Sequence, residues 1–239
     1  MASDLFGTPL PDLLAPAWFL LCWLGYTWFA DREQSHRSLL RTMNAYRALW
    51  ARQLLQRDNR MVDTQIIASL MRSVSFFAST TMFIIAGLIA VIGARERAMA
   101  VLAELPFAAA SSPLLWSLKV LLLIVVFVYA FFKFTWAFRH YNYCLVLVGC
   151  VPAPDRLTAD SPKLAERLAR IASSSAKHFN RGIRAYYFGL AALSWFIDPF
   201  LFMLLSGWVV LVLYRREFRS RLLQVLGAAP DDNAPPLRS

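Results

Sequence analysis

The sequence predicts an all-α integral membrane protein with about four transmembrane helices and long helical cytoplasmic extensions. Three observations predict it. Of 239 residues, 58% are hydrophobic and only 17% charged, with a mean hydropathy of +0.48, the profile of a polytopic membrane chain. Four apolar runs are long enough to cross a hydrocarbon core, which takes roughly 20 helical residues for about 30 Å. Basic clusters close the longest of them, residues 186–214, which holds one charged residue, Asp198, followed by Pro199. A charge in lipid is costly and marks a site or a buried pairing, and a proline breaks or kinks the helix that contains it.

The net charge is +10, from 25 basic and 15 acidic residues. No nucleic-acid recognition motif accompanies it, so the expected partner of this charge is a bilayer with anionic headgroups and not nucleic acid. Cysteines 22, 144 and 150 are odd in number and lie in or beside apolar helical runs, which does not indicate a disulfide framework. No Lys or Arg precedes the first apolar run. It therefore lacks the basic start of a cleavable signal peptide and reads as a retained first span.

That span covers residues 13–30, flanked by Asp12 and Asp31, with Trp18, Trp23, Tyr26 and Trp28 suited to interfacial anchoring, although Trp23 reads better as a core residue. Residues 35–57 form an amphipathic helix. Leu39, Met43, Tyr46, Trp50 and Leu54 recur at helical spacing, with Arg37, Arg41, Arg47 and Arg52 on other faces. Such a helix packs against other cytoplasmic helices or lies along the headgroups. A turn is expected at Asp58-Asn59. The second span, residues 73–93, carries a stripe of small residues, Ser75, Ser79, Ala86, Ala90 and Gly93. Small residues let helix backbones approach, so this face predicts a helix contact, within one chain or between chains. Ser73 and Thr80 on another face either line a polar path or bond their own backbone carbonyls.

After a short loop punctuated by Pro106 and Pro113, the third span runs over residues 113–132, with Pro113 well placed as a first helical residue. No Gly or Pro follows until Gly149, so the helix continues as an extramembrane extension over 133–150, about 37 residues and roughly 55 Å in all. A further extramembrane helix is predicted over 161–180, capped by Ser161 with Pro162 in its first turn and with Leu164, Leu168, Ile171 and Phe179 on its apolar face. The extramembrane helices are expected to bundle. Residues 186–214 then read as a fourth span kinked at Asp198-Pro199, with a re-entrant hairpin at that dipeptide as the alternative. Gly227 stops the last helix, residues 1–227 form a single helical membrane domain, and 228–239 are a disordered tail.

Basic residues number eight in 31–72 and nine in 133–184, against none in 1–30, two in 94–118 and five from 215 onward. Positive charge marks the cytoplasmic side. This puts the N-terminus outside, but leaves the tail on the wrong side if 186–214 crosses once; the expected location, which the charges do not decide, is a bacterial inner membrane.

The segments RDNRMVDTQII, FKFTWAFRHYNY and RGIRAYYFGLAALSWFIDPF through VLYRREFRS, in that order, are similar to the domain-of-unknown-function 599 (DUF599) family of bacterial and plant membrane proteins. The resemblance runs from the first span to about Leu226. It implies a helical integral membrane protein with about four spans and brings no ligand or catalytic residue.

Among chemistry-bearing residues, Asp198 and Lys119 are the first candidates. With the third span centred near Leu123 and the fourth near Pro199, Lys119 reaches towards Asp198, and such a pair suits a proton or cation pathway. The competing reading has Lys119 snorkelling to the outer headgroups and Asp198 accepting backbone amides at the break. His140 and Cys144, four apart, offer two soft metal ligands, with His36 and His178 on other segments. The competing reading is ordinary packing of both, and no metal is expected. There is no phosphate loop, GxSxG or HExxH, so neither an enzyme nor a cofactor is expected. Arg215, Arg216, Arg219 and Arg221 read as a membrane-surface anchor. The expected function is a self-associating pore or transporter-like assembly using Asp198. The alternative is a non-conducting accessory or scaffold subunit of a larger membrane complex.

Overall fold

The computed structural model describes residues 10–32, 38–103 and 112–226. Every regular element among them is helical. The order is α1 (Leu10–Arg32), α2 (Leu39–Leu54), α3 (Met61–Gly93), α4 (Arg95–Ala103), α5 (Pro113–Cys150), a 3-10 turn (Pro154–Arg156), α6 (Ser161–Leu193), a second 3-10 turn (Ser194–Phe196), α7 (Pro199–Phe218) and α8 (Arg221–Leu226). Four helical stretches are long and apolar enough to cross a membrane: α1, α3, α5 and Pro199–Leu226. The membrane class and the helical fold expected from the sequence stand. His36 and Pro106, like the predicted tail, lie outside the described residues.

The element boundaries differ in four places. The amphipathic helix is α2, with Ser38 as N-cap accepting from the Arg41 amide. The second span is part of a 33-residue helix starting at Met61, where Asn59 Oδ1 accepts the Met61 amide at 2.9 Å. The loop after it contains α4. The largest difference concerns residues 161–214. The predicted helix 161–180 does not stop, and α6 continues to Leu193. The break falls at 194–198 instead. Asp198 and Pro199 begin a new helix as N-cap and first residue, a pairing that presets the start of a helix.

The α6–α7 segment also folds back. Phe188 and Phe202 lie fourteen residues apart, which in unbroken helix is about 21 Å. Yet their rings sit 5.8 and 5.2 Å from the same Phe19 ring. The segment therefore bends sharply at 194–198, in keeping with the hairpin alternative to a single kinked span.

The chain divides into two compact units. The first comprises residues 1–32, 76–134 and 180–213. Its core is aromatic: Phe19, Phe188 and Phe202 are sealed, Trp195 stacks on Phe202 at 5.2 Å, and Tyr186 meets Phe77, Phe127 and Phe134. Gly182 and Gly189 belong to this core, because a Cβ on either would lie 2.5 Å from Phe134 or 2.9 Å from Phe127. α6 turns glycine there into close helix packing, not a stop.

The second unit comprises residues 33–75, 135–179 and 214–239. α2 packs in it, as the Leu40 amide donates to Glu217 and the Tyr46 hydroxyl to the Leu226 carbonyl. The segment RDNRMVDTQII supplies its polar joints. Asp63, fully buried, accepts from Trp50 Nε1 at 2.8 Å and pairs with Arg57 at 2.5 Å. Arg60 donates to the carbonyls of Val151 and Pro152, holding the end of α5.

Candidate functional site

The first unit carries two ionic clusters with apolar packing between them. α1 begins with Asp12 and α5 brings Lys119. Their side chains form an ion pair at 3.8 Å with 8% and 1% of their surface exposed. The Trp195 indole donates to Asp12 Oδ1 at 2.9 Å. The Lys119 ammonium lies 5.5 Å from the Trp195 ring centre and 6.0 Å from that of Phe196. The turn after α6 thus closes over the pair, satisfying a buried carboxylate and cation that would otherwise be expensive.

At the other end of α1, Asp31 takes two cations from α6. Its Oδ2 accepts from Arg181 Nε at 2.7 Å, and its Oδ1 lies 3.5 Å from Arg184 Nη1. Arg184 also covers the Tyr26 ring at 5.6 Å, and Lys133 lies 5.0 Å from the Tyr129 ring centre. The two clusters are nineteen residues apart along α1 and, from Lys119 to Lys133, fourteen along α5. At 1.5 Å per residue that is about 28 and 21 Å, close to the roughly 30 Å of a hydrocarbon core. Between them, Thr81 Oγ1 and Tyr186 Oη share a hydrogen bond at 2.8 Å and Thr81 also donates to the Phe77 carbonyl at 2.6 Å.

Lys119 is therefore paired with Asp12, a partner that the sequence did not suggest. Asp198 Oδ1 instead accepts the Leu201 amide at 2.9 Å, capping α7. Ser73 and Thr80 donate to the Ser69 and Phe76 carbonyls on their own helix; Ser73 is exposed and Thr80 half-buried. Of the small-residue stripe, Ser79, Ala86, Ala90 and Gly93 are exposed and Ser75 is half-buried. The buried stripe of α3 is a different one, Asp63, Ile67, Val74 and Thr81.

In the second unit, His140 Nδ1 lies 3.3 Å from the Ser174 hydroxyl, and its ring meets His178 edge to face at 5.2 Å. Cys144 is sealed. Among the described residues, no group of three or more His, Cys, Asp or Glu is placed to hold a metal ion. Arg215, Arg216, Arg219 and Arg221 are exposed.

Sequence reading missed Asp12, Asp31, Arg181, Arg184 and Trp195 as partners. The available signal was an acid at each end of the first span in a strongly basic chain.

The model of the family described as "Protein of unknown function, DUF599" matches residues 14–222. The chain belongs to that family, as the three resembling segments implied. No curated protein and no solved structure matches it.

Proposed function

We propose that this DUF599 family member is a non-enzymatic, non-conducting membrane scaffold, an accessory subunit whose intramembrane charges lock its helices together. One observation carries this reading: Lys119 is 1% exposed, paired with Asp12 and roofed by the rings of Trp195 and Phe196. Charges that serve permeation face water or a cavity. These face each other, and Asp198 is occupied in capping α7.

The same reading assigns a topology. With α6 and α7 crossing as a hairpin, an N-terminus outside puts the basic residues of 31–72, 133–184 and the tail in the cytoplasm, leaving Arg95 and Arg97 outside. The tail then obeys the charge rule that a single fourth crossing would violate. The exposed small-residue face of α3 supports association with another helix, in a second copy or a partner complex.

The test is paired. Purified protein in vesicles should show no proton or potassium flux above that of empty vesicles, and native-detergent mass measurement should find it in stoichiometric complex. Flux that Lys119→Met abolishes without loss of folded protein would overturn the scaffold reading and favour a pore between copies.

A further inference from the structure

We infer that the cluster of Lys133, Arg181 and Arg184 is a binding site for the phosphate of one anionic phospholipid headgroup. Arg181 and Arg184 engage both oxygens of a single carboxylate, Asp31, and Lys133 lies within electrostatic reach of Asp31 and Arg181. Lys133 has no carboxylate within ion-pair distance among the described residues, and its ammonium rests on the Tyr129 ring. Counted over the described residues, the cluster carries two positive charges beyond the one that Asp31 neutralises.

Burial makes that excess significant. The Arg184 and Asp31 side chains are 6% and 13% exposed, and Arg181 is 24% exposed. Like charges in a partly desolvated layer repel with little screening, so an external anion gains more there than at an open surface. The arginines are also held in place by Asp31 and, for Arg184, by the Tyr26 ring, so little side-chain freedom remains to be lost on binding. A guanidinium presents a fork that matches phosphate oxygens, and an ammonium adds a point charge.

The position selects the source of the phosphate. The cluster lies about 21–28 Å along the helices from the intramembrane pair of Asp12 and Lys119, most of the roughly 30 Å of a hydrocarbon core, which brings it to the level where headgroups sit. Basic pockets between spans on the cytoplasmic side take anionic headgroups. The arginines in the last turn of α7 and just beyond it, Arg215, Arg216, Arg219 and Arg221, differ in exposure. They are unburied, and attract a bilayer without selecting one lipid.

This inference rests on the membrane reading above. The experiment is native mass spectrometry of the full chain, stripped of lipid in a neutral detergent and titrated with phosphatidylglycerol, phosphatidylcholine or inorganic phosphate. One phosphatidylglycerol should bind in preference to phosphatidylcholine. Lys133→Gln should weaken that binding about fivefold, the effect of one basic residue near a headgroup. Lys133→Arg should restore it, and the double variant Arg215→Gln, Arg216→Gln should leave it unchanged. Equal binding of both lipids, or full binding by Lys133→Gln, would overturn the site. Displacement of the lipid by an equal concentration of inorganic phosphate would overturn the lipid assignment. Release of the chain from membranes by alkaline carbonate is a separate failure, since it would remove the membrane reading itself.

Discussion

Replacing Lys119 with methionine keeps the length of the side chain and removes its charge. Asp12, 7% exposed, then keeps the indole hydrogen bond of Trp195 but loses its counter-ion at 3.8 Å. At an effective dielectric constant of about 20, two unit charges at that distance attract by about 4 kcal/mol. Stranding one member of a buried pair typically costs about 3–5 kcal/mol, which for a chain of this size lowers the melting temperature by roughly 6–20 °C. Cys22 and Cys144 are buried and Cys150 is exposed, so with Cys150→Ala as the background a thiol-reactive dye in a fixed detergent reports the unfolding. The double variant Asp12→Asn, Lys119→Met should recover most of the loss, because the asparagine still accepts from Trp195 and no charge is stranded. A single variant within about 1 kcal/mol of the parent, or a double variant worse than either single, would refute the lock.

Two further outcomes follow from the packing of α6 and α7. Gly182→Ala places a methyl 2.5 Å from Phe134 and should destabilise by about 1–3 kcal/mol, as overpacking does. Phe134→Leu should partly restore it, while Gly87→Ala, with nothing within 4 Å, should be neutral or gain up to about 1 kcal/mol; thermal melts separate the three. Asp198→Ala should cost about 0.5–2 kcal/mol as a lost cap, and Asp198→Ser should recover most of it. A serine variant as impaired as the alanine one would show that the charge, not the cap, matters.

Much of the helical architecture was legible in the sequence, and the reasons are local. α5 runs from Pro113 to Cys150 because a proline opens it and no breaker interrupts it before Gly149. The boundary near residue 180 was not legible. A polar helical pattern followed by an apolar one reads as two helices in two solvents, whereas α6 is one helix whose Gly182 accommodates the Phe134 ring. Asp198-Pro199 is equally consistent with a kink and with a fresh helix start. Only the meeting of Phe188 and Phe202 on Phe19, a tertiary contact, separates the two. The partner of Lys119 was hidden for the same reason. Asp198 drew attention because it interrupts an apolar run, while Asp12 looked like an ordinary flank and lies 107 positions away from the lysine it neutralises.

The folding back of α6 and α7 is tested most directly by side-specific thiol labelling of the full chain in sealed vesicles, with Cys22, Cys144 and Cys150 replaced by alanine. Single cysteines would be introduced as Asp58→Cys, Arg97→Cys and Ser220→Cys. The hairpin predicts that an impermeant reagent reaches positions 58 and 220 from one side and position 97 from the other. Labelling of position 220 together with 97, and apart from 58, would contradict it.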